Sequence, residues 1–346
     1  MLKFIISTLG IGIILISFST AIFNLAFASN NSSVSEVDNN IANFSMQEIP
    51  EPTITGSNQV KVVASFYPIF EFVEKVGGNR VDTTSLIPVG IEPHDFEPTV
   101  QQIQNAETAD MLVYNGAGLE GPWIRDIDSR FFVDATEGLN LTKGHEEHDE
   151  ENSTASDEEN STASVERAQA LDPHVWLDPI LVKQQVNMIK DALIKVDPNH
   201  ASYYNENARR FISELDNLDA AIRSKLANCE KKDFIAFHNA FSYFADRYGL
   251  TQHSIHEATS PEGEILPQRI QQIIILARDI GLDTIYSEEL VDPRLANVIA
   301  QEIPNGKVLV LSPIEGIDRD EQNAGIGYLD KMNENIENLR VGLKCK

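Results

Sequence analysis

Three histidines and one glutamate carry the chemistry legible in this 346-residue sequence. His94, His174, His238 and Glu315 lie far apart, yet each stands where a strand-like apolar run breaks into a loop or a helix start. Gathered around one point they would supply three neutral imidazoles and one carboxylate. That donor set suits a borderline ion such as Zn²⁺, because nitrogen binds it well and the carboxylate cancels part of its charge. A closed shell of four protein donors favours capture, whereas zinc catalysis needs a coordination position open to water.

The local sequences explain how the imidazoles could be held. His94 lies in Ile91–Pro98 (IEPHDFEP), between Pro93 and Pro98, and His174 follows Pro173 in Leu171–Pro179 (LDPHVWLDP). Proline restricts both itself and its predecessor, so a ligand in such a loop needs little further ordering when metal arrives. His238 ends the apolar run Phe234–Phe237. Any one of these histidines alone reads as a hydrogen-bonded structural residue; three in matching contexts point to a site.

The elements that must position these residues alternate. Val60–Ile69, Val81–Pro88, Ala109–Asn115 and Phe131–Ala135 are β-rich runs, with the helix-like stretch Pro98–Thr108 among them. The alternation recurs in Asp233–His238, Thr251–Glu257, Thr284–Leu290 and Lys307–Pro313, which predicts an α/β protein of two lobes, each with a mainly parallel sheet flanked by helices. Between them, Asp178-Pro179 starts a helix with Val182, Val186, Ile189 and Leu193 at helical spacing. After Asp197-Pro198, the positions Phe211, Leu215, Leu218, Ile222 and Leu226 predict a second helix, long and rigid, joining the lobes. The expected order is an N-terminal lobe over 59–200, a linking helix over 201–228 and a C-terminal lobe over 229–346.

At the N-terminus, the apolar run 4–28 follows Lys3 and ends in Ala26-Phe27-Ala28, the pattern of an export signal with a cleavage site. The run is also long enough to stay as a membrane anchor if uncut; no cysteine near residue 28 could take a lipid. Residues 29–58, rich in Asn, Ser, Glu and Pro, read as a flexible spacer. The formal charge of −26 argues against a nucleic-acid partner. Part of it is concentrated in an insert at 144–168, where DEENSTAS occurs twice in tandem (Asp149–Ser156 and Asp157–Ser164), an expected disordered loop. Asn152 and Asn160 stand in glycan-acceptor triplets. Two cysteines, Cys229 and Cys345, permit one disulfide in an oxidising compartment; the alternative is two unpaired thiols.

Several longer stretches, SFYPIFEFVEKVGGNRVDTTSLIPVGIEPHDFEPT, ADMLVYNGAGLEGPW, DPHVWLDP, FHNAFSYFADRYGL and LSPIEGIDRDEQNAGIGYLDKMNENIENL, resemble the solute receptors of zinc and manganese ABC importers, over nearly everything from 60 to 344. The resemblance implies two α/β lobes joined by one long helix, with ligands at His94, His174 and His238. It also implies a monomer that passes its ion to an ABC permease. Many members place Asp directly before the proline of the last strand end, where this chain has Ser312; Glu315 resembles the branch that uses Glu. A carboxylate usually replaces the third histidine in the manganese-leaning branch, so His238 tilts the expectation to Zn²⁺, with Mn²⁺ as the alternative. The acidic insert sits where zinc receptors often carry a His-rich loop, and His145 and His148 either bind metal weakly there or belong to a solvated loop.

The rival readings are a zinc hydrolase with Glu315 as general base, for which the sequence offers no HExxH, GxSxG or Gly-rich phosphate loop, and an adhesin whose metal is structural. Glu120, Glu257, Glu288 and Glu289 are candidate supports for a ligating imidazole, which usually donates its second N–H to an oxygen. His253 and His256, three apart in an expected strand, point to opposite faces and read as structural, as does His200.

Overall fold

The computed structural model describes residues 59–144, 171–261 and 265–346. The expected signal or anchor at 1–28, the spacer, the tandem repeat, Asn152, Asn160, His145 and His148 all lie outside the described residues. Among the described residues no helix is long and apolar enough to cross a membrane.

The first half runs β1 (Val60–Ala64), α1 (Tyr67–Gly77), β2 (Val81–Ser85), α2 (Val100–Thr108), β3 (Met111–Tyr114) and β4 (Phe132–Asp134). Two helices follow, α3 (Pro179–Val196) and α4 (Ala201–Lys225). The second half comprises β5 (Asp233–Ala236), α5 (Ser242–Tyr248), β6 (Thr251–Ser254), α6 (Pro267–Asp279), β7 (Thr284–Ser287), α7 (Arg294–Gln301), β8 (Lys307–Val310), α8 (Arg319–Ala324) and α9 (Tyr328–Gly342). Each half builds one four-stranded, all-parallel sheet, in the orders β2-β1-β3-β4 and β6-β5-β7-β8.

The strands are shorter than the apolar runs that announce them. The run Val60–Ile69 is strand only to Ala64, and Tyr67–Ile69 opens α1, with Pro68 in its first turn. Proline there has the φ a helix needs and gives up an N–H that has no partner anyway. Burial continues in another geometry: Ile69, Phe72, Val73 and Val76 face the core at helical spacing. The other runs likewise end in loops at their carboxyl ends, and those loops carry the candidate ligands.

Parallel strands are buried on both faces, and here each face has its own core. In β1, Val62 and Ala64 join a large cluster that also takes Phe211, Leu215, Leu218 and Ile222 of α4 and Phe234, Tyr286, Met332 and Ile336 of the second half. Val63, alternating, packs with Leu86, Ala106 and Leu112 in a separate cluster, and Ile235 does the same with Ile273, Ile285 and Ile299. Helix α4 packs against α1, α3 and α9, so it touches helices of both halves. Asp178 caps α3, its side chain accepting from Ile180 N, and also accepts two bonds from Arg247 of α5, at 2.9 and 2.6 Å. The two cysteines are paired: Cys229, just before β5, is bonded to Cys345, just after α9.

Candidate metal centre

In both sheets the chain leaves the first strand on one side and later crosses to the other, which creates a switch point beside β1 and beside β5. Ligands of open parallel sheets collect at such points, outside the carboxyl ends of the strands. His94 lies in the loop after β2, His174 in the connection after β4, His238 two residues beyond β5, and Glu315 five residues beyond β8. The structure brings all four together, with one donor atom from each within 4.8 Å of every other.

Glu315 Oε1 is the hub. It lies 3.0 Å from His174 Nε2, 3.2 Å from His94 Nε2 and 3.3 Å from His238 Nε2, and the last two imidazoles in chain order approach to 3.3 Å through their Nε2 atoms. Four donors at roughly 2.0–2.2 Å from a tetrahedral ion stand about 3.3 Å apart, which these four spacings approach, while the outer His94 must close in on the two inner imidazoles to complete the shell. His174 and His238 are wholly buried, Glu315 is 3% exposed, and His94 is the outermost member. The backbone aims Glu315 at some cost: Ile314, a buried β-branched residue, has φ of 56° in the left-handed region. Such strain persists only where surrounding structure imposes it, here Pro313 O accepting from Trp176 Nε1 at 2.7 Å and Ser312 Oγ accepting from Ile314 N at 3.0 Å.

Two carboxylates fix the inner imidazoles. Asp172 Oδ1 accepts from His174 Nδ1 at 2.7 Å, and Glu288, the first residue after β7, accepts from His238 Nδ1 at 2.8 Å. With Nδ1 as donor, the Nε2 lone pair faces the hub. Glu288 therefore fulfils the supporting role foreseen for four glutamates. Glu257 instead pairs with Arg269 at 2.5 Å, and Glu289 bonds Ser312 Oγ and lies 3.4 Å from Lys331. Glu120 touches no ligand imidazole: it accepts from Ser65 Oγ, Asn115 N and Gly116 N, and burial pushes its carboxyl up to about 7 even so. Sequence reasoning missed Asp172, although a carboxylate two residues before a proline-held histidine was a usable signal. It also missed Glu92, whose Oε1 accepts from His94 N at 3.1 Å and which burial and the nearby Glu315 push up to about 9.

The charges of the cluster are set by one another. Burial would lower the pKa of His238, but the charges of Glu288 and Glu315 outweigh it and raise it well above the ordinary 6.5. His174 is raised for the same reason, burial being outweighed by its bonds to Asp172 and Glu315. His94, with less carboxylate contact, is lowered by its burial. Glu315, despite burial, is held well below its ordinary range by His238 and His94. A cavity of about 600 Å³ opens beside Glu315, lined by Tyr67, Ile87, Ile91, Gly316, Ile317 and Ile326. The other described histidines stand apart: His253 pairs with Asp233 at 2.9 Å and His200 with Asp197 at 2.6 Å. His256 is buried beyond the end of β6, not in the strand expected to carry it.

Fold and cluster together define a class: a two-sheet α/β binding protein with a candidate cation site beyond its strand ends. The sequence profile of the family described as zinc-uptake complex component A, periplasmic (ZnuA), matches residues 62–342, and the chain belongs to that family. It is similar to the high-affinity zinc uptake system protein ZnuA of Bacillus subtilis (strain 168), 35% identical over 295 residues that span 84% of this chain and 89% of the relative. The zinc-binding protein AdcA of Streptococcus pyogenes serotype M3 is 34% identical over 306 residues, 86% of this chain but 59% of AdcA, so the chain spans little more than half of that relative. Among solved structures, the Zn(II)-bound ZnuA-like domain of Streptococcus pneumoniae AdcA superposes with a TM-score of 0.68 at 27% identity, covering 82% of this chain and 99% of that one.

Proposed function

We propose that this chain is an extracytoplasmic receptor that captures Zn²⁺ through His94, His174, His238 and Glu315 and hands it, as a monomer, to the permease of an ABC importer. The observation that carries the reading is the convergence of four donors within 4.8 Å of one another, two of them with Nδ1 already committed to carboxylates. Three imidazoles favour zinc over manganese, which prefers oxygen donors. The ion is cargo: a shell filled by four protein donors leaves no position for a reacting water, which supports transport over hydrolysis. Membership of a periplasmic zinc-uptake family supports a site of action outside the cytoplasm, with residues 1–28 as the export signal or anchor and 29–58 as its tether. In this reading one lobe spans 59–200, the other 229–346, and 201–228 joins them.

Titration of the purified chain with Zn²⁺ against a chromophoric chelator should give one tight site per chain. His174→Ala and Glu315→Ala should each weaken it by about 100-fold or more, since losing an inner ligand exceeds the roughly 10- to 100-fold typical of outer-shell changes. Unchanged affinity in both variants would place the cation elsewhere.

A further inference from the structure

The two sheets share one strand order, so β3 in the first corresponds to β7 in the second. In the second sheet the residue directly after β7 is Glu288, which holds the imidazole of His238. In the first sheet the residue directly after β3 is Asn115, fully buried, whose Nδ2 donates to the carbonyl of Pro173 at 2.9 Å. That carbonyl immediately precedes His174. We propose that Asn115 is a positioning residue for His174, pinning the Asp172–His174 turn so that the imidazole keeps its place in the cluster; this rests on the reading of the cluster as a zinc site.

The surroundings of Asn115 are built to hold it still. Its Oδ1 accepts from Gln185 Nε2 of α3 at 3.2 Å, and its backbone N–H donates to Glu120 Oε1 at 2.6 Å. Glu120 reaches back because Gly116, Ala117 and Gly118 all take positive φ, of 88°, 54° and 92°, curling the loop onto itself. Glycine meets that demand at little cost, whereas Ala117 does so under strain. Glu120 Oε2 then accepts from Gly116 N at 3.0 Å, and Ser65, directly after β1, donates to Oε1 at 2.8 Å. Asn115, Glu120 and Gln185 are at most 2% exposed, so no water competes for these bonds. The turn is pinned from the other half as well, by Tyr243 Oη donating to Asp172 O at 2.8 Å. Pro173 O is thus one of three fixed points, the third being Asp172 N donating to Thr142 O at 3.0 Å, and among the described residues Asn115 is the side chain that donates to Pro173 O.

Two variants test this in the full chain. Asn115→Asp keeps the shape but turns an acceptor toward Pro173 O, and Gln185→Met removes only the prop on Asn115. Each is measured for Zn²⁺ affinity by chelator competition, for the visible absorption of the Co²⁺-loaded protein, and for melting of the metal-free form. Asn115→Asp should weaken zinc binding by about tenfold or more, the lower end for groups behind a ligand. It should also change the intensity and position of the Co²⁺ bands, which report ligand geometry; Gln185→Met should move both readouts the same way by less. A folded variant whose affinity lies within twofold of wild type and whose Co²⁺ spectrum is unaltered overturns the assignment. If Asn115→Asp does not fold, Gln185→Met decides by the same two readouts. Failure of the wild-type chain to bind zinc would instead remove the zinc-site reading itself.

Discussion

At the scale of single residues, the cluster proposed to take zinc also binds protons. His238 and His174 keep their protons to higher pH than ordinary imidazoles, because Glu288, Asp172 and Glu315 outweigh the effect of burial. Zinc requires neutral imidazole, so capture displaces those protons. The sign follows: affinity falls as pH drops through the raised values, and so begins to fall above 6.5. Protonated His174 and His238 stabilise the metal-free fold fully below 6.5, and that contribution is lost as pH rises through their raised values. Glu315 contributes above 4.5 and loses its part as pH falls through its lowered value. Calorimetric zinc titrations near pH 7 in buffers of different ionisation enthalpy should therefore give different heats; equal heats in all buffers would rule out proton release. The four members of the cluster were legible in the sequence because strand ends precede them, prolines stand beside His94, His174 and Glu315, and the family resemblance points to the same positions. Their partners were only partly so: Glu288 was one of four interchangeable glutamates until the pairing of β5 with β7 placed it beside His238.

At the scale of elements, alternation of strand and helix foretold both sheets, while the strand ends could not be read. Apolar residues continue past Ala64 and past Ala236 because the loops and helix starts there are buried too, and a period of two cannot be separated from a short buried turn. The cysteine pair, left open between disulfide and free thiols by composition alone, proves to be a covalent link across 116 residues. It fastens the segment before β5 to the end of α9, whose Tyr328 and Asn335 reach Trp176 and Ser312 near the site. Exchanging both cysteines for serine should lower stability by about 2–5 kcal/mol, measured by denaturant unfolding. Zinc stoichiometry should remain one, since neither sulfur approaches the cluster.

At the scale of the molecule, the decisive fact is a core that does not stop at the boundary between the halves. Residues of β1, α4, β5, β7 and α9 belong to one buried cluster, while each half keeps only a smaller cluster of its own on the other face of its sheet. Metal-free protein should accordingly unfold in one cooperative transition; two resolved calorimetric peaks would show that the halves melt independently. Zinc at 100 times its dissociation constant should add about 2.7 kcal/mol to that transition, and a strong chelator should reverse the gain without changing far-ultraviolet circular dichroism. This continuity was hidden in the sequence, where each apolar run is compatible with a private core for each lobe.

The placement of every cation donor beyond a strand end has a lasting consequence. Rewriting His94, His174, His238 or Glu315 alters loops and leaves the pairing of both sheets intact, so ion preference can be retuned by evolution or by design on one unchanged pair of sheets.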